Sequence, residues 1–168
     1  MPTFATLDAS LLLTMGAASV LNVVWDNPRY NWHLTPIARN EIFSDPTRAE
    51  IGKALLTGRL ATADLDTTSS EELAAFAQWN RIVDGGEAEA IAVSITRGGV
   101  VGIEDLFAQR KLTQLCGSAS WVNCARLLLD AISDGRQSLH EADRVFKALD
   151  CYPGYVKRGI SSLADLQT

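Results

Sequence analysis

The sequence predicts an α/β domain built on a central parallel sheet of four to five strands. Three observations lead there. Short apolar or alternating runs recur along the chain, separated by segments with helical periodicity. Gly- and Pro-containing breaks stand between them, and no repeat or low-complexity linker interrupts the order. Val100–Ile103 is apolar throughout, as suits a strand covered on both faces. A length of 168 residues, 47% of them hydrophobic and 21% charged, fits one domain spanning residues 1–168.

Thr3–Leu7 is rich in strand formers and stops at Asp8. Ala9–Val24 reads as one buried helix or two, with Gly16 the weak point. Asp26-Asn27-Pro28 breaks the chain before a second strand, Tyr30–Leu34. Pro36 suits the first position of a helix carrying Ile37, Glu41 and Ile42. Asp45-Pro46 starts another, continued by Ile51, Ala54 and Leu55, and Leu60–Leu65 alternates as a third strand. Ser69/Ser70 with Glu72 resembles a helix N-cap, and Leu73, Phe76, Ala77 and Ile82 supply the period. Gly85-Gly86 precedes a helix over Glu87–Thr96, which Gly98-Gly99 ends before the strand Val100–Ile103. Phe107–Leu115, Trp121–Ile132 and Leu139–Leu149 read as three further helices.

Fifteen Lys+Arg against 20 Asp+Glu leave a formal charge of −5. That excludes a protein held to nucleic acid by general basicity, though not an enzyme that meets it at an acidic site. The balance is uneven. Residues 1–90 hold six basic and twelve acidic side chains, residues 91–168 nine and eight. Cys116, Cys124 and Cys151 are odd in number and lack CxxC spacing, which suits reduced, idle thiols. The uncharged run from Ala9 to Trp25 is too short and too rich in polar residues for a membrane span. It has no basic leader either, so the expected location is cytoplasmic.

Open parallel sheets bind ligands beyond the carboxyl ends of their strands. Asp8 follows the first strand there, and Glu104 and Asp105 follow Val100–Ile103. Glu41 lies on the helix after the second strand, and Glu87 in the first turn of its own helix. Carboxylates converging from separate segments repel one another unless a divalent cation neutralises them, and Mg²⁺ or Mn²⁺ prefers such oxygen ligands. Asp8, Glu87 and the Glu104/Asp105 pair also have an ordinary use, since acids in a first turn favour the helix dipole. Other chemistries lack their residues. His33 and His140 have no His or Cys at ligand spacing, and no nucleophile elbow, P-loop or dinucleotide fingerprint is present. A phosphatase of the haloacid dehalogenase type needs a second Asp where Ser10 stands.

Four stretches give the chain a resemblance to the PIN-domain family, which includes the VapC-type toxin ribonucleases. They are Leu7-Asp8-Ala9-Ser10, Ile37-Ala38-Arg39-Asn40-Glu41-Ile42, Gly86-Glu87-Ala88-Glu89-Ala90-Ile91-Ala92, and Val100-Val101-Gly102-Ile103-Glu104-Asp105 with Ala108 and Arg110. The third is similar to the GExEAIA signature of one PIN branch, and Gly117-Ser118 with the following helix resembles that branch's carboxy-terminal part. The resemblance implies a three-layer α/β/α domain. It also implies a quartet of Asp8, Glu41, Glu87 and Asp105 around Mg²⁺ or Mn²⁺, and metal-assisted hydrolysis of RNA phosphodiesters. Two departures stand out: Glu104-Asp105 replaces the usual Asp-Asp, and Arg110 comes one residue late. Glu104 is thus an alternate ligand. Glu89 is another, but two residues from Glu87 on a helix it points about 200° away, and first-turn Glu87 is preferred.

Ser118 reads either as a contact to the ion's water shell or a phosphate, or as a turn residue. Arg97, Arg110, Lys111 and Arg126 are candidate RNA phosphate contacts. The resemblance further implies an antitoxin partner and a homodimer, for which Trp25, Trp32, Trp79 and Trp121 are either interface anchors or core. The competing expectation is a PIN-fold interaction or RNA-binding module without nuclease activity.

Overall fold

A computed structural model describes residues 1–117, 120–149 and 162–163. Five strands, β1 (Thr3–Leu7), β2 (Tyr30–Leu34), β3 (Ala61–Thr62), β4 (Val100–Gly102) and β5 (Trp121–Val122), form one all-parallel sheet in the order β3-β2-β1-β4-β5. The helices are α1 (Ala9–Ala17), α2 (Asn22–Trp25), α3 (Pro36–Asn40), α4 (Asp45–Leu56), α5 (Ser70–Trp79), α6 (Gly85–Thr96), α7 (Leu106–Cys116), α8 (Cys124–Ser133) and α9 (Leu139–Leu149).

The pleat of β1 explains the layering. Ala5 and Leu7 point into a core shared with α1, α4, α8 and α9, whereas Thr6 points the other way, onto α6. There its hydroxyl donates to the Ala90 carbonyl at 2.7 Å. A second core gathers Trp79, Ala88, Ala90, Ile91, Val101, Ile103, Ala108 and Leu112. Helices therefore cover both faces, and the central strand is buried on each side from Ala5 to Leu7. Gly102 lies where a Cβ would press on Leu7 and Trp32, at 2.8 and 3.3 Å, so β4 closes on the first core only with glycine there.

The chain runs outward from β1 to β2 and β3, then returns to the other side for β4 and β5. The order thus reverses between β1 and β4. That places a crevice beyond the carboxyl ends of these two strands. The Asp8 amide donates to the Gly102 carbonyl at 2.9 Å and locks the crevice floor.

Several expectations change. Ala9–Val24 divides at the residues after Ala17, and Ser19 takes a positive φ of 56° in the break. The third strand shrinks to Ala61–Thr62. Trp121 and Val122 are not helical: they pair with Val101 and Gly102 as β5, and Asn123 caps the helix that begins at Cys124. The helix after Pro36 stops at Asn40, leaving Glu41 as its C-cap rather than a member. Trp32 and Trp79 are core residues, while Trp25 and Trp121 are half-buried. Cys124 is buried, Cys116 is exposed, and Cys151 lies outside the described residues. Among the described residues no helix is long and apolar enough to cross a membrane.

Candidate functional site

At the switch between β1 and β4 lies an open cavity of about 520 Å³, lined by Asp8, Ala9, Ser10, Leu13, Thr14, Glu41, Phe43, Asp84, Glu87, Glu104 and Asp105. Each acid arrives from a different local device. Asp8 is the N-cap of α1: its Oδ2 accepts the Ser10 amide at 2.8 Å. Asp105 is the N-cap of α7 and accepts the Ala108 amide at 2.8 Å. Glu87 projects from the first turn of α6. Glu41, at the end of α3, accepts the Gly86 amide at 3.0 Å through Oε1. A Cβ at position 86 would overlap the Glu41 carboxylate, so glycine leaves the carboxylate room to reach this amide.

The electrostatics follow from this convergence. Asp8 is 1% exposed, and its Oδ1 has no hydrogen-bond partner among the described residues. Burial raises its pKa against the lowering effect of the Ser10 and Ala9 bonds, and Asp105's charge adds to the rise. Glu41 is raised by burial and then by Asp8, with the Gly86 amide opposing. Glu87 is raised as well. Burial, then the charges of Asp8, Asp105, Asp84 and Glu41, push it up to about 8.

The alternates separate from the quartet. Glu89 is buried, does not line the cavity, and accepts the Ile37 amide at 2.8 Å, tying α6 to the start of α3. Glu104 lines the cavity, but its Oε2 accepts the Cys124 amide at 2.9 Å and so braces the start of α8. Burial and this carboxylate together hold the Cys124 thiol well above its usual range. Ser118 lies outside the described residues.

Of the expected phosphate contacts, Arg97 is elsewhere. It closes α6 at the opposite end of the sheet, bonded to Glu72 at 2.8 Å and set over the Phe4 ring. Arg126 is paired with Asp130 at 3.3 Å. Arg110 is exposed on α7, and Lys111 on the same helix sits 5.6 Å from the Phe107 ring centroid. None of the four lines the cavity.

Asp84, Ser10 and Phe43 belong to the site without having been singled out from the sequence. Asp84 stands just before Gly85-Gly86, and Ser10 follows Asp8 by two. Both positions read as helix-start residues, and their cavity role comes from topology. Ser10 also accepts the Glu104 amide through Oγ at 3.0 Å, joining the ends of β1 and β4.

The donor set suits a hard divalent cation, being all carboxylate with one buried oxygen unbonded. Among the described residues, however, no three Asp, Glu, His or Cys side chains stand close enough to hold an ion as they are. A cation would have to draw them together. No protein-family model matches the chain, and none of the curated proteins compared with it does.

Proposed function

We propose that the chain is a metal-dependent endoribonuclease of the PIN type, in which Asp8, Glu41, Glu87 and Asp105 hold Mg²⁺ or Mn²⁺. The observation that carries this reading is the bare, buried Oδ1 of Asp8 in an open cavity that three further acids enter. A lone buried carboxylate oxygen is costly without a partner, and a cation is the partner that anionic neighbours favour. When bound, the ion activates water and offsets charge on the phosphate. The chain's own part is to hold the acids in place: Ser10 orients Asp8, Gly86 orients Glu41, and the α7 cap orients Asp105. The openness of the cavity suits a polymer more than an enclosed small molecule. RNA as the substrate, an antitoxin partner and a homodimer follow from the sequence resemblance.

The test is cleavage of a labelled RNA with Mn²⁺ by wild type, Asp8→Asn and Asp105→Asn. Activity falls at least a hundredfold in both variants while the circular dichroism spectrum is kept. Equal cleavage by all three removes the proposal. A second reading, a PIN-like binding module without catalysis, is favoured by the absence of a ready-made ion cluster among the described residues. It requires that Mn²⁺ leave the melting temperature of the wild type unchanged.

A further inference from the structure

The backbone from Arg39 to Phe43 is a ridge between two cavities. Glu41 and Phe43 face the acid cavity, whereas Arg39, Asn40 and Ile42 face a second one of about 280 Å³ that Arg48, Ile51 and Gly52 of α4 also line. From Asn40 to Phe43 successive residues alternate between the two sides, so the two cavities share this one stretch of backbone. It is also held. Ile42 is fully buried, its carbonyl accepts Arg48 Nε, and Glu41 is bonded to Gly86.

The two sides carry opposite charge. Neither Arg39 nor Arg48 forms an ion pair among the described residues, and the only side-chain hydrogen bond of either is the one from Arg48 to Ile42. Both are exposed, and the Asn40 side chain adds further hydrogen-bonding capacity. The Arg39 guanidinium and the terminal nitrogens of Arg48 have no partner among the described residues, and guanidiniums in a concave site suit a phosphate group, which they bond in a forked geometry. Phe43 stands on the crest between them and the acids with 74% of its surface exposed.

We infer that the Arg39–Arg48 cavity binds a backbone phosphate of a single strand whose neighbouring linkage lies in the acid cavity. This rests on the hydrolytic reading and adds to it a cationic anchor. Without an ion the acid cavity repels a strand, so cations outside it add attraction; Arg97 and Arg126 are already paired, and Arg110 and Lys111 on α7 line neither cavity. A strand crossing the ridge sets one phosphate on each side and the intervening nucleoside over Phe43.

The experiment is fluorescence anisotropy of a labelled ten-nucleotide RNA over a series of NaCl concentrations, with Ca²⁺ replacing Mn²⁺ to limit turnover. Arg39→Gln weakens binding roughly 5- to 10-fold and lowers the slope of log K against log [NaCl] by about 0.7. Arg39→Lys keeps most of that slope, and Leu56→Ala, an exposed apolar change on α4, alters neither quantity. With a neutral methylphosphonate backbone, wild type and Arg39→Gln bind alike. An Arg39→Gln chain with wild-type affinity and slope overturns the phosphate cavity while leaving Mn²⁺-dependent cleavage to be judged separately. Loss of an acidic peptide by Arg39→Gln, with RNA binding intact, also overturns it. A wild type that binds no RNA overturns it too, and absence of cleavage in the same preparation removes the hydrolytic reading with it.

Discussion

Glu87 and Asp8 show how a few ångströms of chain path change the chemistry of ordinary helix-start acids. Each sits in a first turn or cap where a carboxylate is normally comfortable, yet the fold surrounds each with others. For Glu87 the consequence is measurable. Its native pKa of about 8 exceeds the ordinary 4.5, so between these values the folded chain binds the extra proton. Stability from this group is complete below pH 4.5 and is lost as pH rises through 8. In EDTA, Glu87→Gln should match wild type at pH 4 and melt several degrees higher at pH 8.5. An identical melting difference at both pH values would contradict the assignment. Asp8, Glu87 and Asp105 were candidates from the sequence because each follows a strand or opens a helix; Glu41, on the helix after the second strand, joined them through the resemblance. Asp84 was not among them, because an acid before two glycines is fully explained as a cap, and only the folded path shows that it faces Glu41 and Glu87. Arg97 misled for the converse reason. Sequence gives its charge but not Glu72, which neutralises it from α5.

Strand β1 organises the elements around it. Its three inward residues divide between two cores, and Thr6 is the polar one. The Thr6 hydroxyl bonds the Ala90 carbonyl and lies 2.9 Å from Ser94 Oγ, so it joins β1 to α6 in a place without water access. Thr6→Val should destabilise the chain by about 1–3 kcal/mol in urea unfolding, since it leaves buried polar partners unmatched. No change in the unfolding midpoint would show that the helix is held by packing alone. The strands Thr3–Leu7 and Tyr30–Leu34 and the helix Leu139–Leu149 fall where composition and period place them. β5 was hidden because Trp121-Val122 runs directly into the apolar face of α8, and two residues carry no period of their own. The cue was Asn123, whose side chain accepts the Arg126 amide at 3.0 Å and marks where the helix starts.

At the scale of the whole molecule, a charge of −5 and an acid cavity act in the same direction. Without a divalent ion, self-repulsion is relieved only by screening, so raising NaCl from 20 to 500 mM (roughly 20 to 4 Å of Debye length) should raise the melting temperature in EDTA. That gain should shrink in the Asp8→Asn variant, and a salt response of equal size would place the repulsion elsewhere. The sheet adds a consequence of a different kind. Its two margins, β3 and β5, are only two residues long, and β3 pairs with His33 and Leu34 alone, so among the described residues no strand lies beside the outer edge of β2 over Tyr30–Trp32. The margin strands themselves offer a newcomer little backbone ladder, and the longest stretch left on that side is Tyr30–Trp32. Margins that short discourage edge-to-edge pairing, and among the described residues Tyr30–Trp32 is where a second copy would have to extend the sheet.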